Sequence, residues 1–227
     1  MYVPDNILKH ALRGVYFFCG TACGGKTTIS KAFAEKHGLV WVGEDELNRL
    51  MEEIATPDEQ PVWRSRPNGL EAYFMRPPRE YWDWLQGCAE ELLPLTLIAL
   101  ARACEESGSE PTRPRVAADV YCLPPDQALR YTEPNRIVYL TADPDRVAAE
   151  YFERPDHADI REAILRLPDP EAAFRNVRET LRYGNQILLN DIVASGLFRI
   201  AREDALSVER AVELAERHFA GESSRAT

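Results

Sequence analysis

The sequence predicts an α/β fold built on a parallel β-sheet covered by helices on both faces. Three observations carry this reading. Short apolar runs alternate with amphipathic, helix-periodic stretches along the chain. One of these junctions, between Val15 and Lys36, is a strand, a glycine-rich loop and a helix in immediate succession. The length, 227 residues, suits one sizeable α/β domain and is too short for two full ones.

Taken in order, Val15-Tyr16-Phe17-Phe18-Cys19 reads as a buried first strand, over roughly 14–19. A helix over 25–37 follows, closed by Gly38. Leu39-Val40-Trp41-Val42-Gly43 is the second strand, and Glu44-Asp45-Glu46 opens a helix with Leu47, Leu50, Met51 and Ile54. Residues 56–79 carry five prolines and read as irregular, yet are too aromatic for a disordered linker. A long helix is expected from Glu80 to Glu105, then a polar loop to Pro114. The third strand is 115–121, a short helix follows Pro124-Pro125-Asp126, and the fourth strand is Arg136–Leu140. Pro144–Phe152 reads as a helix with proline near its start. Residues 153–170 are charged and proline-containing. Glu171–Ala194 is an amphipathic helix with a possible break at Gly184, Leu197–Ile200 is the fifth strand, and Val208–Phe219 is the last helix.

Bulk properties exclude several classes. A formal net charge of -10 argues against a nucleic-acid or membrane-surface role, because both need basic faces. No signal peptide is visible, and the apolar run Leu92–Leu100 is too short for a membrane span. Five cysteines without a C-x-x-C pair, and only four histidines, argue against zinc and for free thiols in a reducing, cytoplasmic setting. No histidine has a partner at ligand spacing. Cys23 lies next to a helix N-terminus and is either an oxidation-sensitive thiol or a small residue that fits its loop.

The loop Gly20-Thr21-Ala22-Cys23-Gly24-Gly25-Lys26-Thr27 matches G-x-x-x-x-G-K-T, the P-loop pattern. Successive N–H groups point into such a loop, and the helix N-terminus adds a partial positive charge. Gly20, Cys23, Gly24, Gly25, Lys26, Thr27 and Thr28 are therefore the expected nucleotide-binding residues. Lys26 reaches the β- and γ-phosphates, and the Thr27 hydroxyl ligates Mg²⁺. In an acidic chain this site must be a local basic island.

In the order of its elements the chain resembles the nucleoside/nucleotide and shikimate kinase group of P-loop phosphotransferases. It also resembles chloramphenicol phosphotransferase, in which a strand ending in Gly-x-Asp follows the P-loop helix; here that stretch is Val42-Gly43-Glu44-Asp45. The layout covers most of the chain, and the P-loop is its one specific motif. The resemblance implies a three-layer P-loop NTPase fold with a five-stranded parallel sheet in the order 2-3-1-4-5 and a lid. One domain over 1–220 is expected, with 56–84 as substrate region, 153–170 as lid, and a disordered tail at 221–227. It implies ATP and Mg²⁺ as cofactors, a small-molecule acceptor as partner, and a monomer or homodimer. By the same resemblance Asp45 contacts the acceptor, with Glu44 as second choice, because transfer needs the acceptor oxygen aligned and its proton taken. Arg154 closes over the phosphates from the lid, with Arg161 and Arg166 as weaker candidates. Asp119, at the end of the third strand, resembles a Walker B acid that holds Mg²⁺ through water or positions the acceptor. Arg66, Arg76 and Arg79 suit an anionic acceptor group, and Trp82, with Trp63, Tyr73 and Phe74, a flat one.

The expected activity is ATP- and Mg²⁺-dependent phosphoryl transfer to a hydroxyl or phosphate of a small molecule: a nucleoside or nucleotide, a shikimate-like acid, or an antibiotic. The alternative is a regulatory module that binds ATP or GTP and hydrolyses it slowly. The lack of an N-K-x-D guanine-reading motif counts against a GTPase switch.

Overall fold

The computed structural model describes residues 3–65, 69–108, 113–202 and 206–221. Their strands are β1 (Val15–Gly20), β2 (Val40–Val42), β3 (Val116–Asp119), β4 (Ile137–Thr141) and β5 (Arg199–Ala201). The helices before β3 are α1 (Asp5–Ala11), α2 (Lys26–His37), α3 (Glu44–Ile54), α4 (Pro61–Arg64), α5 (Leu70–Phe74) and α6 (Pro78–Glu106). After it come α7 (Pro125–Ala128), α8 (Pro144–Glu150), α9 (Ala158–Leu165), α10 (Pro170–Ser195) and α11 (Val208–Phe219). The strands form one sheet in the order β2-β3-β1-β4-β5, all pairs parallel, as the resemblance implied.

Strand alternation splits the core into two layers. Val15, Phe17, Cys19, Val116, Ala118, Ile137 and Tyr139 face α3, α6 and α10, meeting Leu47, Leu92, Leu100 and Ile192. Phe18, Ala117, Val138, Leu140 and Ile200 face α2 and α11, meeting Ile29, Phe33, Val212 and Phe219. With apolar residues needed on both faces, the strands read as near-continuous hydrophobic runs, which made them visible in the sequence. The register sets Phe18 beside Asp119 and Gly20 beside Leu140, so the ends of β1, β3 and β4 converge.

Three elements differ from expectation. The stretch 56–79 holds two short helices. Glu91 of α6 accepts the Val62 and Trp63 N–H groups at 2.9 and 2.7 Å, so α4 is capped from 28 residues away or more. The α1 helix was not expected; it is short, and Arg130 ties its Asp5 down at 3.1 Å. Finally, α10 runs unbroken through Gly184. That glycine gives room rather than a break: a Cβ there would lie 2.1 Å from a ring carbon of Trp82, so α6 and α10 touch through glycine and indole. Trp63 and Phe74 are buried, so neither offers a face to a ligand.

A third apolar cluster unites the segments read as substrate region and lid. Phe74 and Tyr81 pack with Phe152, Ile164, Ala173 and Val177. Asn176 of α10 donates its amide to the Phe74 carbonyl at 2.8 Å and also to that of Arg76. The expected tail falls mostly on 222–227, outside the described residues. Among the described residues no helix is long and apolar enough to cross a membrane.

Gly184→Ala gains helix propensity of up to about 1 kcal/mol but overpacks the Trp82 contact, which typically costs about 1–3 kcal/mol. The expected outcome is a lower thermal midpoint in differential scanning calorimetry. A midpoint equal to or above that of the parent protein would show that Trp82 moves aside freely.

Candidate functional site

The loop after β1 is held by its backbone. Thr21 N–H donates to the Leu140 carbonyl at 3.0 Å, and the Thr21 hydroxyl accepts from Ala142 N–H at 2.9 Å. Glycine is obligatory where the loop meets β4: a Cβ on Gly20 or Gly24 would stand 2.0 or 2.4 Å from the Leu140 oxygen. Cys23 sits in the left-handed region at φ 57, strain that a non-glycine residue bears when its surroundings fix it. The α2 helix starts at Lys26 with no side-chain cap, so its first N–H groups remain available to an anion.

Cations gather over this loop. Lys26 Nζ donates to the Thr21 carbonyl at 3.3 Å. Arg202, just past β5, donates to the Cys23 carbonyl at 2.9 Å. The Arg154 guanidinium acts on the Cys23 thiol from close by, favouring its charged form. Burial raises the Cys23 thiol above its usual pKa, against the opposing pull of Arg154, Lys26 and Arg202. Cys23 thus has the character of a small packed residue rather than a reactive thiolate.

Acids face these cations. Asp119 is only 1% exposed, and its Oδ2 accepts the Thr27 hydroxyl at 2.5 Å. Its Oδ1 is buried with no hydrogen-bond partner among the described residues. Burial raises its pKa, offset by Lys26 and the Thr27 hydrogen bond, with Asp45 adding to the rise. Glu44 opens α3 and turns inward; its Oε2 is also buried and unpartnered. Burial lifts its carboxyl to about 7, Lys26 pulls it down, and Asp119 and Asp45 push it up. Asp45 itself is exposed at the rim.

No protein-family model matches the chain, and no curated protein sequence matches it.

The structure thus brings together Gly20, Cys23, Gly24, Gly25, Lys26, Thr27, Thr28, Glu44, Asp45, Asp119 and Arg154. The other arginines expected at the site are engaged or exposed elsewhere among the described residues. Arg76 lies over the Trp84 ring at 4.5 Å and donates to the Ser65 carbonyl at 3.3 Å. Arg79 and Arg161 are exposed, and Arg166 pairs with Glu162 at 3.5 Å. Trp82 is engaged with Gly184. Arg66 lies outside the described residues. Sequence reasoning missed Arg202 and Asn185. The buried Asn185 Oδ1 accepts Ala22 N–H at 3.0 Å from within α10. Neither belongs to a motif; only the crossing of α10 over the loop and the parallel fifth strand bring them in.

The arrangement can hold a polyanion, accept a proton at Glu44 and ligate a hard cation through Thr27 and Asp119. It also makes a stability claim. Glu44 is raised from 4.5 to about 7, so its contribution to folding is fully present below 4.5 and lost as pH rises through 7. In nucleotide- and metal-free protein, Glu44→Gln is expected to be more stable than the parent at pH 8, by up to about 3 kcal/mol. The difference should vanish by about pH 4.5. Urea titrations at the two pH values check this, and equal stability at pH 8 would refute the inward, desolvated placement of Glu44.

Proposed function

We propose that this chain is an ATP- and Mg²⁺-dependent phosphotransferase of the P-loop NTPase fold, acting on a hydroxyl group of a small molecule. The observation that carries the reading is the Thr27–Asp119 hydrogen bond of 2.5 Å, which joins the glycine loop to the end of β3 beside a buried, unpartnered carboxylate oxygen. Thr27 and Asp119 fit a hard, oxygen-preferring cation. Among the described residues no group of three or more His, Cys, Asp or Glu is placed to hold a metal ion, so two protein ligands would leave places for phosphate and water oxygens. When bound, Mg²⁺ neutralises charge on the phosphates.

The chain's own groups then divide the work. The loop N–H groups and the α2 N-terminus bind the donor phosphates, and Lys26 leaves the Thr21 carbonyl to grip the terminal ones. The acceptor oxygen bonds to the γ-phosphorus while the bond from that phosphorus to the β–γ bridging oxygen breaks, releasing ADP. The hydroxyl proton passes to the Glu44 carboxylate. Asp45, which is exposed, stands at the mouth of the site and orients the acceptor there. Arg154, from the segment that serves as lid, steadies charge on the transferring oxygens and helps exclude water. A phosphate acceptor fits less well than a hydroxyl, because Glu44, Asp45 and Asp119 would repel it and Arg76 is engaged elsewhere.

ADP formation measured with and without a panel of hydroxylated metabolites tests the reading. Acceptor-dependent turnover is expected, and Lys26→Ala should lower it by at least about a hundredfold while leaving the circular dichroism spectrum unchanged. Slow hydrolysis indifferent to every acceptor would favour a nucleotide-binding regulatory module. Failure of the protein to bind MgATP would overturn both.

A further inference from the structure

Among the described residues, and at the glycine-loop end of the sheet, buried polar side-chain atoms without hydrogen-bond partners are sorted by sign. On β3 and α3 they are oxygens: Asp119 Oδ1, Glu44 Oε2, and Asn48 Oδ1 one turn beyond Glu44. On α10 they are N–H groups: Asn185 Nδ2 and Arg178 Nε. Seven residues separate these two, about two helical turns, so both lie on one face of α10. A buried donor without an acceptor is costly, so such groups call for a partner from outside the chain, a ligand or an ordered water. The α10 face asks for an anion; the opposite wall asks for donors or a cation.

Asn185 is the better defined of the two donors. It is 4% exposed. Its orientation follows from chemistry: the Ala22 N–H can only donate, so the atom it meets at 3.0 Å is the amide oxygen. The unpartnered end is therefore Nδ2. The Thr21–Ala22 peptide that Asn185 holds by its N–H is held by its carbonyl at Lys26 Nζ, 3.3 Å away. One peptide unit of the loop thus links Asn185 to the lysine that reaches for the terminal phosphates.

We propose that Asn185 recognises the terminal phosphoryl group of the nucleotide donor: Oδ1 fixes the loop, and Nδ2 donates to an oxygen of that group. The inference rests on the nucleotide-binding reading above. It makes α10, rather than the glycine loop alone, the element that tells a triphosphate from a diphosphate.

Asn185→Asp separates the two halves of the amide. It keeps an oxygen for Ala22 N–H and replaces the donor with a second, repulsive oxygen. Calorimetric titration of MgADP and of the non-hydrolysable analogue MgAMPPNP gives the readout. The variant should bind MgADP within about threefold of the parent protein and MgAMPPNP about tenfold or more weakly. Asn185→Ala, which also frees Ala22, should weaken both nucleotides. A ratio of the two affinities unchanged in Asn185→Asp would overturn the proposal and leave Asn185 a brace for the loop, a role that does not sense the third phosphate. If the parent protein binds neither nucleotide, the reading of the site itself fails, and that outcome is visible before any variant is made.

Discussion

The site depends on one close approach, that of the glycine loop to the last turn of β4. The Leu140 carbonyl accepts Thr21 N–H at 3.0 Å and also occupies the space where side chains on Gly20 and Gly24 would begin. The loop cannot retreat, because Thr21 is buried and its hydroxyl is already bonded to Ala142 N–H. With its base fixed on β4, the loop turns its open side toward β3 on one flank and α10 on the other. Asp119, Glu44, Asn185 and Arg154 are all reached from there. A shift of one residue in the β1–β4 register would move Gly20 away from Leu140 and dissolve this geometry without altering a single side chain at the site.

The electrostatics follow from that seat. An acidic chain concentrates Lys26, Arg154 and Arg202 around one loop and sets buried acids opposite them. Lys26 offsets the burial of both Glu44 and Asp119 only in part. Asp119 keeps an unpartnered oxygen although Lys26 is near, and Glu44 titrates near neutrality because burial outweighs the lysine's pull. A core optimised for stability would pair these groups or remove them. Unsatisfied charge held in place is what a binding site stores, because the ligand then meets groups that need no rearrangement.

The parallel sheet and the helices flanking it were legible because their signals are local: continuous apolar runs, a glycine loop and helical periodicity; the strand order came from the resemblance in layout. The loop and the acidic cluster after β2 were legible for the same reason. What escaped was decided by distant contacts. Which of Glu44 and Asp45 turns inward depends on the angle at which α3 leaves β2, and three adjacent acids carry no record of it. Gly184 resembled a helix breaker because a sequence cannot display Trp82 from a helix a hundred residues earlier. The aromatics at 63 and 74 looked like a ligand wall and are core, since local composition does not say which side of a cap is wet. Asn185 was one polar position among many until its helix was laid across the loop.

The cap raises a further consequence. Segments 56–84 and 153–170 looked separable, one a substrate region and the other a lid. In the fold Phe74, Phe152, Ile164 and Val177 share one apolar cluster, and Asn176 ties the first segment to α10 by backbone carbonyls. Opening one without the other would expose that cluster and strand the Asn176 amide. The less costly motion carries both together, pivoting with α10. Arg154, at the edge of this body, already contacts Cys23 of the loop, while Asn185 reaches the neighbouring Ala22 from the helix on which the body rests. Under the proposed function, a movement of this body that admits an acceptor would also disturb the loop proposed to hold the donor.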